Sequence, residues 1–295
     1  MPSDIVVIAN KWWEAAPLLG VLRNPSACPG SFTQLAELAP GTLATPTSCD
    51  PSPLPRLRLR VRAATVSVWC LQDLMNPSVN GSLTIEKARV LPRLFEWEGG
   101  EPRLVMAFGT AADPQKESRN GTVAVGSSVF VHNPYAGRPE PARQWEPPRP
   151  DTVVESAAAQ LVDGLPDAWL GEVARRTLTP PNAGAPRPGA LVGGGLVSVG
   201  VVNVTDYKDY DWTDQEALDA FAAAAPGATP ASLETTHGVI RSASEAPFLY
   251  VSGYVNGVGQ FQQQTAANTY SQNFAGAHNA GVALAWLLDV LAARV

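Results

Sequence analysis

The chain is poor in charge: Asp, Glu, Lys and Arg make up only 16% of its 295 residues. Acidic residues outnumber basic ones, giving a net charge of −6. That balance excludes bulk positive charge as a means of holding nucleic acid or an anionic membrane, and leaves room only for a local anion site. Cysteine is scarce. Cys28, Cys49 and Cys70 are odd in number and irregular in spacing, which excludes a disulfide framework and a cysteine metal site. Two buried thiols and one loop thiol is the expectation. The three histidines, His132, His237 and His278, lie too far apart for a metal signature. There is no phosphate-binding P-loop, no Gly-x-Gly-x-x-Gly turn and no Gly-x-Ser-x-Gly nucleophile elbow. No run of 18 apolar residues is present to cross a bilayer. The opening MPSDIVVIAN has neither the basic start nor the long apolar centre of a signal peptide. These absences set the expectation of a soluble, cytoplasmic protein without metal or cofactor, with no membrane and no nucleic-acid partner.

What is present is apolar substance and punctuation. Hydrophobic residues make up 45% of the chain, with 25 Gly and 27 Pro. The length suits one large domain over residues 1–295. Gly, Pro, Ser and Thr concentrate in 25–55, and Pro in 134–150; both read as surface insertions. Short apolar runs bounded by polar or turn residues read as buried strands: 4–9, 65–71, 104–108, 191–204 and 247–251. Helical patterns fall at 83–97, with Pro92 as a kink, at 152–161, 168–177, 235–244 and 273–293. Thr213-Asp214-Gln215-Glu216 reads as a capping box that opens a further helix. Strands alternating with helices imply an α/β fold on a mixed, mostly parallel sheet. Arg56 to Arg62 alternates basic with apolar residues, as in an edge strand guarded by charge; a row of arginines on phosphate is the other reading.

The candidate functional residues cluster in 231–261. Glu234 is followed three residues later by His237, a spacing that brings the two side chains together on a helix. Asn256 lies past the apolar run 247–251, and open α/β sheets hold their ligands beyond the carboxyl ends of their strands. Glu14 follows the first strand. It reads either as a catalytic acid or as a first-turn helix Glu favoured by the helix dipole. Asp206 to Trp212 is dense in carboxylates and aromatics. Without the Gly and terminal Glu of a calcium loop, it reads as a solvated loop beside the substrate rather than a metal site.

Several of these residues stand in a familiar order. Leu233-Glu234, then a helix, then Pro247-Phe248-Leu249-Tyr250-Val251 and Asn256 resembles the C-terminal part of the nucleoside phosphorylase and nucleosidase superfamily. Gly109-Thr110-Ala111 resembles its glycine turn. The segments 121–126 and 129–133, carrying His132, and the strand from Gly195 to Asn203 and Val204 take later places. Glu14 with Leu18 is similar to the nucleosidase pattern after strand one. The resemblance implies a three-layer α/β/α phosphorylase-like fold, a homo-oligomer, and cleavage of the N-glycosidic bond of a purine nucleoside by water or phosphate. It implies catalytic roles for Glu14 and Asn256. Substrate contacts would come from Glu234, Leu233, Thr110, Ala111, His132, Asn203 and Val204.

The sequence also departs from that pattern. Ala112-Asp113 replaces paired glycines, and Val201 replaces an Asp. The family's phosphate motifs are absent, which favours water. Asn256 stands where the hydrolases carry Asp, and an amide cannot donate a proton as an acid does. The nucleophile therefore stays open. A non-catalytic or repurposed nucleoside- or nucleobase-binding member is the alternative, and a biosynthetic enzyme acting on an unusual nucleoside is a third reading.

Overall fold

Ile5–Ala9 is apolar and buried at every position, which a strand satisfies only when both faces of its sheet are covered. The alternation of the strand sorts these residues. Ile5, Val7 and Ala9 enter one core, and Val6 and Ile8 enter another on the opposite face. In the computed structural model this segment is β1, at the centre of the fold. The structure describes residues 2–24, 32–37, 54–75, 84–115, 119–133, 188–193, 196–201, 210–264 and 271–295.

The described strands form one eleven-stranded sheet. They are β1, β2 (Phe32–Glu37), β3 (Leu57–Val61), β4 (Ala64–Cys70), β5 (Leu104–Asp113), β6 (Val123–Gly126), β7 (Ser128–His132), β8 (Ala190–Val192), β9 (Leu196–Val201), β10 (Thr229–Glu234) and β11 (Phe248–Gly257). The main path is β2-β3-β4-β1-β5-β10-β9-β7, with β11 joining β5 to β6 and β6 to β8. β1 runs parallel to β4 and β5, and β5 parallel to β11. Antiparallel pairs occur at β2–β3, β3–β4, β6–β11 and at the single contact of Leu233 with Ala112. The expected mixed, mostly parallel sheet is what forms.

Helices α1 (Trp12–Leu22) and α7 (Ser271–Leu291) cover one face of the centre. α3 (Thr84–Glu98) and α5 (His237–Ser242) cover the other. α4 (Tyr210–Ala224) packs Phe221 against Phe130 and Val199 of β7 and β9. The short α2 (Leu71–Leu74) and α6 (Phe261–Gln264) close turns. α7 is long and apolar enough to cross a bilayer by length and hydropathy, but 78% of its most apolar window is buried inside the protein. It meets β11 backbone to backbone: a Cβ built at Gly253 would stand 2.0 Å from the carbonyl oxygen of Gly276. Only paired glycines allow that approach.

Several expectations change. β11 does not stop at Val251 but runs to Gly257, because β5 beside it is equally long. The single strand expected over 191–204 is two, β8 on β6 and β9 on β10. Residues 25–55 are not all loop, since β2 forms there on the hydrogen-bonding edge that β3 offers. β3 is therefore not an edge strand, and three of the four arginines in 56–62 meet carboxylates individually. Arg56 grips Asp73, Arg62 grips Asp289, and Arg58 lies 3.8 Å from Glu98. Thr213 does not open α4, which begins three residues earlier; its hydroxyl donates to the Tyr210 carbonyl at 3.2 Å. Cys70 is buried as expected, and burial pushes its thiol up to about 12. Cys28, Cys49, Asn203, Val204, most of the loop 206–212, the stretch 134–150 and the helical patterns at 152–161 and 168–177 lie outside the described residues.

Candidate active site

A cavity of about 580 Å³ opens where β1, β5 and β11 end, at the carboxyl side of three parallel strands. β1, β10 and β11 each deliver a polar residue to it by a different local device.

β1 ends in a turn that starts α1, and Glu14 occupies the third position of that helix. Its Oε2 accepts the Lys11 N–H at 2.9 Å, half of a capping box. Its Oε1 turns across to β5, accepting the Thr110 N–H at 2.8 Å and the Thr110 hydroxyl at 2.9 Å. The carboxyl is thus fixed at both oxygens. Burial raises its pKa, and the hydrogen bonds from Thr110 and Lys11 pull it back down. The two sequence readings of Glu14 are therefore compatible: it stabilises the helix start and faces the cavity with the same group.

β10 delivers Glu234 at its last residue. Oε2 accepts the N–H of Thr236 and, at 2.8 Å, that of His237. Oε1 has no hydrogen-bond partner among the described residues; His237 Nδ1 is 3.7 Å away. One oxygen holds the residue; the other is enclosed beside the His237 ring, on the side of Ser198, whose hydroxyl offsets part of the rise in pKa that burial imposes on the carboxyl. His237 is neutral, since burial and then the nearby Lys87 charge push its pKa down to about 3. It makes a 3.0 Å contact with Ser198 Oγ through Nδ1 and a 3.4 Å contact with Ser252 Oγ through Nε2.

β11 delivers Asn256. The register against β5 slips between Tyr254 and Asn256, so that Ala111 faces the first and Ala112 the second. Such a bulge re-aims the side chain beyond it. Asn256 is buried beside the cavity and donates from Nδ2 to the Gly257 carbonyl at 2.9 Å.

Thr110, Ala111 and Leu233 also line the cavity, so the structure brings them together with Glu14, Glu234 and Asn256. His132 is not among the described lining residues. It ends β7, which is separated from β10 by β9.

Lys87 and Asp214 are ionisable lining residues that the sequence does not mark. Lys87 of α3 is 1% exposed, and its Nζ donates to Thr236 Oγ1 at 2.9 Å and to the Thr235 carbonyl at 3.3 Å. Burial lowers its pKa, with Lys11 adding to that and Glu234 and Glu14 opposing it. In Glu86-Lys87 it looks like any solvated helix charge, and no local signal marks it. Asp214 of α4 is the other, hidden within what reads as a capping box. Among the described residues no three His, Cys, Asp or Glu side chains are grouped to hold a metal.

No family model matches the chain, and no curated protein matches it by sequence. Solved structures match its fold. The 5′-methylthioadenosine/S-adenosylhomocysteine nucleosidase of Colwellia psychrerythraea, in complex with adenine, superposes with a TM-score of 0.53 at 13% identity, over 99% of this chain and 96% of the other. The nucleosidase of Neisseria meningitidis with the same named activity, bound to methylthio-immucillin-A, gives 0.51 at 13% identity, over 97% and 98%. Futalosine hydrolase of Helicobacter pylori gives 0.52 at 10% identity, over 98% of both chains. At such identities the likeness is one of fold: this chain shares the α/β architecture of these solved structures.

Proposed function

We propose that this protein cleaves the N-glycosidic bond of a purine nucleoside, with water as the nucleophile. The observation that carries the reading is a pair of buried carboxylates, Glu14 and Glu234, facing one cavity in different states of satisfaction. Glu14 is held at both oxygens and is positioned to orient a water and take its proton. Its raised pKa suits that work, because a base is most effective when its pKa lies near the working pH. Glu234, which lines the cavity, supplies the carboxylate acceptor that a ribose hydroxyl requires. Both negative charges stabilise the positive charge that builds at the anomeric carbon in an oxocarbenium-like transition state. Asn256 holds the base by hydrogen bond. The names of the solved relatives support this substrate class, and the adenine and adenosine-like compounds in two of them support a purine. Under this reading the protein acts as a cytoplasmic homo-oligomer of one domain per chain, without a cofactor.

The test is release of free base from a panel of purine and 5′-modified nucleosides, with and without phosphate. Phosphate-independent release that Glu14→Gln lowers by at least about 100-fold is the expected result. Release that requires phosphate would make the protein a phosphorylase. The amide at position 256 favours a second reading, a binding protein that has given up catalysis. That reading prevails if no nucleoside is cleaved while one of them raises the melting temperature.

A further inference from the structure

The cavity contains a third carboxyl that neither the ribose nor the attacking water requires. Asp214 lines it from α4 and is 6% exposed, with no hydrogen-bond partner among the described residues. It lies one helical turn beyond Tyr210 and Asp211, on the same face of α4. That face is tied to the end of β11. Asp211 Oδ1 accepts the Phe261 N–H at 2.9 Å, and the Tyr210 ring meets the Phe261 ring edge-on at 4.8 Å. Asp214 therefore lines the same cavity as the Tyr210 and Phe261 rings and as Asn256, the residue assigned to the base. An unpartnered carboxyl this deeply buried lacks the solvation that a charge requires, and the charge acting on it, that of Asp211, has the same sign. Both effects keep the proton on Asp214 well above the usual carboxylate range.

We propose that Asp214 is the general acid of the reaction, donating its carboxyl proton to a ring nitrogen of the leaving base. The inference rests on the hydrolase reading above. As the bond from the anomeric carbon to the base breaks, its electron pair stays on the base. The O–H bond of Asp214 breaks and its proton goes to the base, so a neutral purine departs. Water forms the new bond to the anomeric carbon and gives its proton to Glu14. The proton gained by Glu14 and the one lost by Asp214 balance, and exchange with solvent resets both. The amide at 256 is then no defect, because the two duties of a leaving-group residue are divided. Asn256 holds the base and Asp214 protonates it.

The experiment compares the full chain with its Asp214→Asn variant on two substrates. One is the purine nucleoside that the unaltered protein cleaves best. The other is 4-nitrophenyl ribofuranoside, whose nitrophenolate leaves without a proton. The expected result is a loss of about 100-fold or more on the nucleoside and a change within about threefold on the nitrophenyl riboside. In the unaltered protein kcat/KM should fall as pH rises and Asp214 gives up its proton; in the variant that basic limb should disappear. Equal losses on both substrates, no loss on the nucleoside, or a basic limb that survives the substitution would overturn the assignment. If the nitrophenyl riboside does not turn over, the basic limb decides alone. If the unaltered protein releases base from no nucleoside, the hydrolase reading fails and takes the acid with it. An active protein with an equally active variant removes the acid assignment only.

Discussion

Gly109 and Glu14 compete for the same space: a Cβ built at Gly109 would lie 2.8 Å from Glu14 Oε1. The missing side chain on β5 is therefore what lets the carboxyl cross from α1 to Thr110. Gly109→Ala should push the Glu14 carboxyl out of its two bonds to Thr110 and cut base release by about 100-fold, since small displacements of a catalytic group are costly. The melting temperature should change little, because a flexible side-chain end can move aside. Unchanged kcat in the alanine variant would show that Glu14 need not sit where the structure holds it.

Lys87 acts through its neighbours. Its ammonium holds the Thr235–Thr236 turn whose N–H group, with that of His237, fixes Glu234. Burial already raises the pKa of Glu234, and the Lys87 charge pulls it down. Lys87→Met removes that charge, so the Glu234 carboxyl should hold its proton to still higher pH. The acid limb of the kcat/KM profile should move upward, with KM rising more than kcat falls. A loss of activity with the limb in place would make Lys87 a structural residue only.

His237 makes stability depend on acid. Its pKa is 6.5 in a model peptide and is pushed down to about 3 in the fold. A group depressed in this way stabilises the fold fully above pH 6.5 and loses that contribution as pH falls toward 3. Glu14, Glu234 and Asp214, raised by burial, work in the opposite direction, so the comparison must be with a His237→Gln variant. Each unit is worth about 1.4 kcal/mol. Between pH 6.5 and 4 the unaltered protein should therefore lose roughly 3 kcal/mol more stability than the variant. Parallel melting curves would place His237 in a wetter setting than the one described.

Packing gives a sharper test at the crossing of β11 and α7. Gly253→Ala places a methyl group against the Gly276 backbone, which cannot swing aside as a side chain can. Overpacking of this kind costs about 3 kcal/mol or more, a fall in melting temperature of roughly 5 °C for a chain of this size. Gly20, inside α1, has nothing within 4 Å of its added Cβ. There the same change should stabilise by about 0.5–1 kcal/mol. Similar melting temperatures for the two variants would contradict the close crossing.

The framework was readable because it rests on local pattern. Ile5–Ala9, the first half of β5 and the start of β11 are continuous apolar runs, and only a strand buried on both faces uses them. Glu14 was readable because it lies just after the turn that follows such a run, and Glu234 because of its spacing to His237 and the order of Leu233-Glu234 before the run 247–251. The residues that were missed depend on distant partners. Lys87 is buried because α3 lies over the turn after β10, more than a hundred residues later in the chain. Asp214 is buried because Tyr210 and Asp211 are fastened to Phe261. The length of β11 was misjudged because Ser252 and Gly253 look like a break, whereas ladder pairing to β5 carries the strand through them. His132 was placed in the site by its order in the chain, and the sheet puts it two strands away from Glu234.

The pairing of α1 with α7 joins nearly the two extremes of the described chain; a Cβ built at Gly281 would stand 3.4 Å from Leu18 Cα. Because α7 also covers β1, β5 and β11, the apolar underside of the central strands has no lid until that helix exists. During synthesis the first strand and helix must wait, with their greasy side bare, for almost the entire remaining sequence to emerge. Such a layout leaves apolar surface bare in the newborn chain until α7 docks, which makes its partly folded forms prone to clumping.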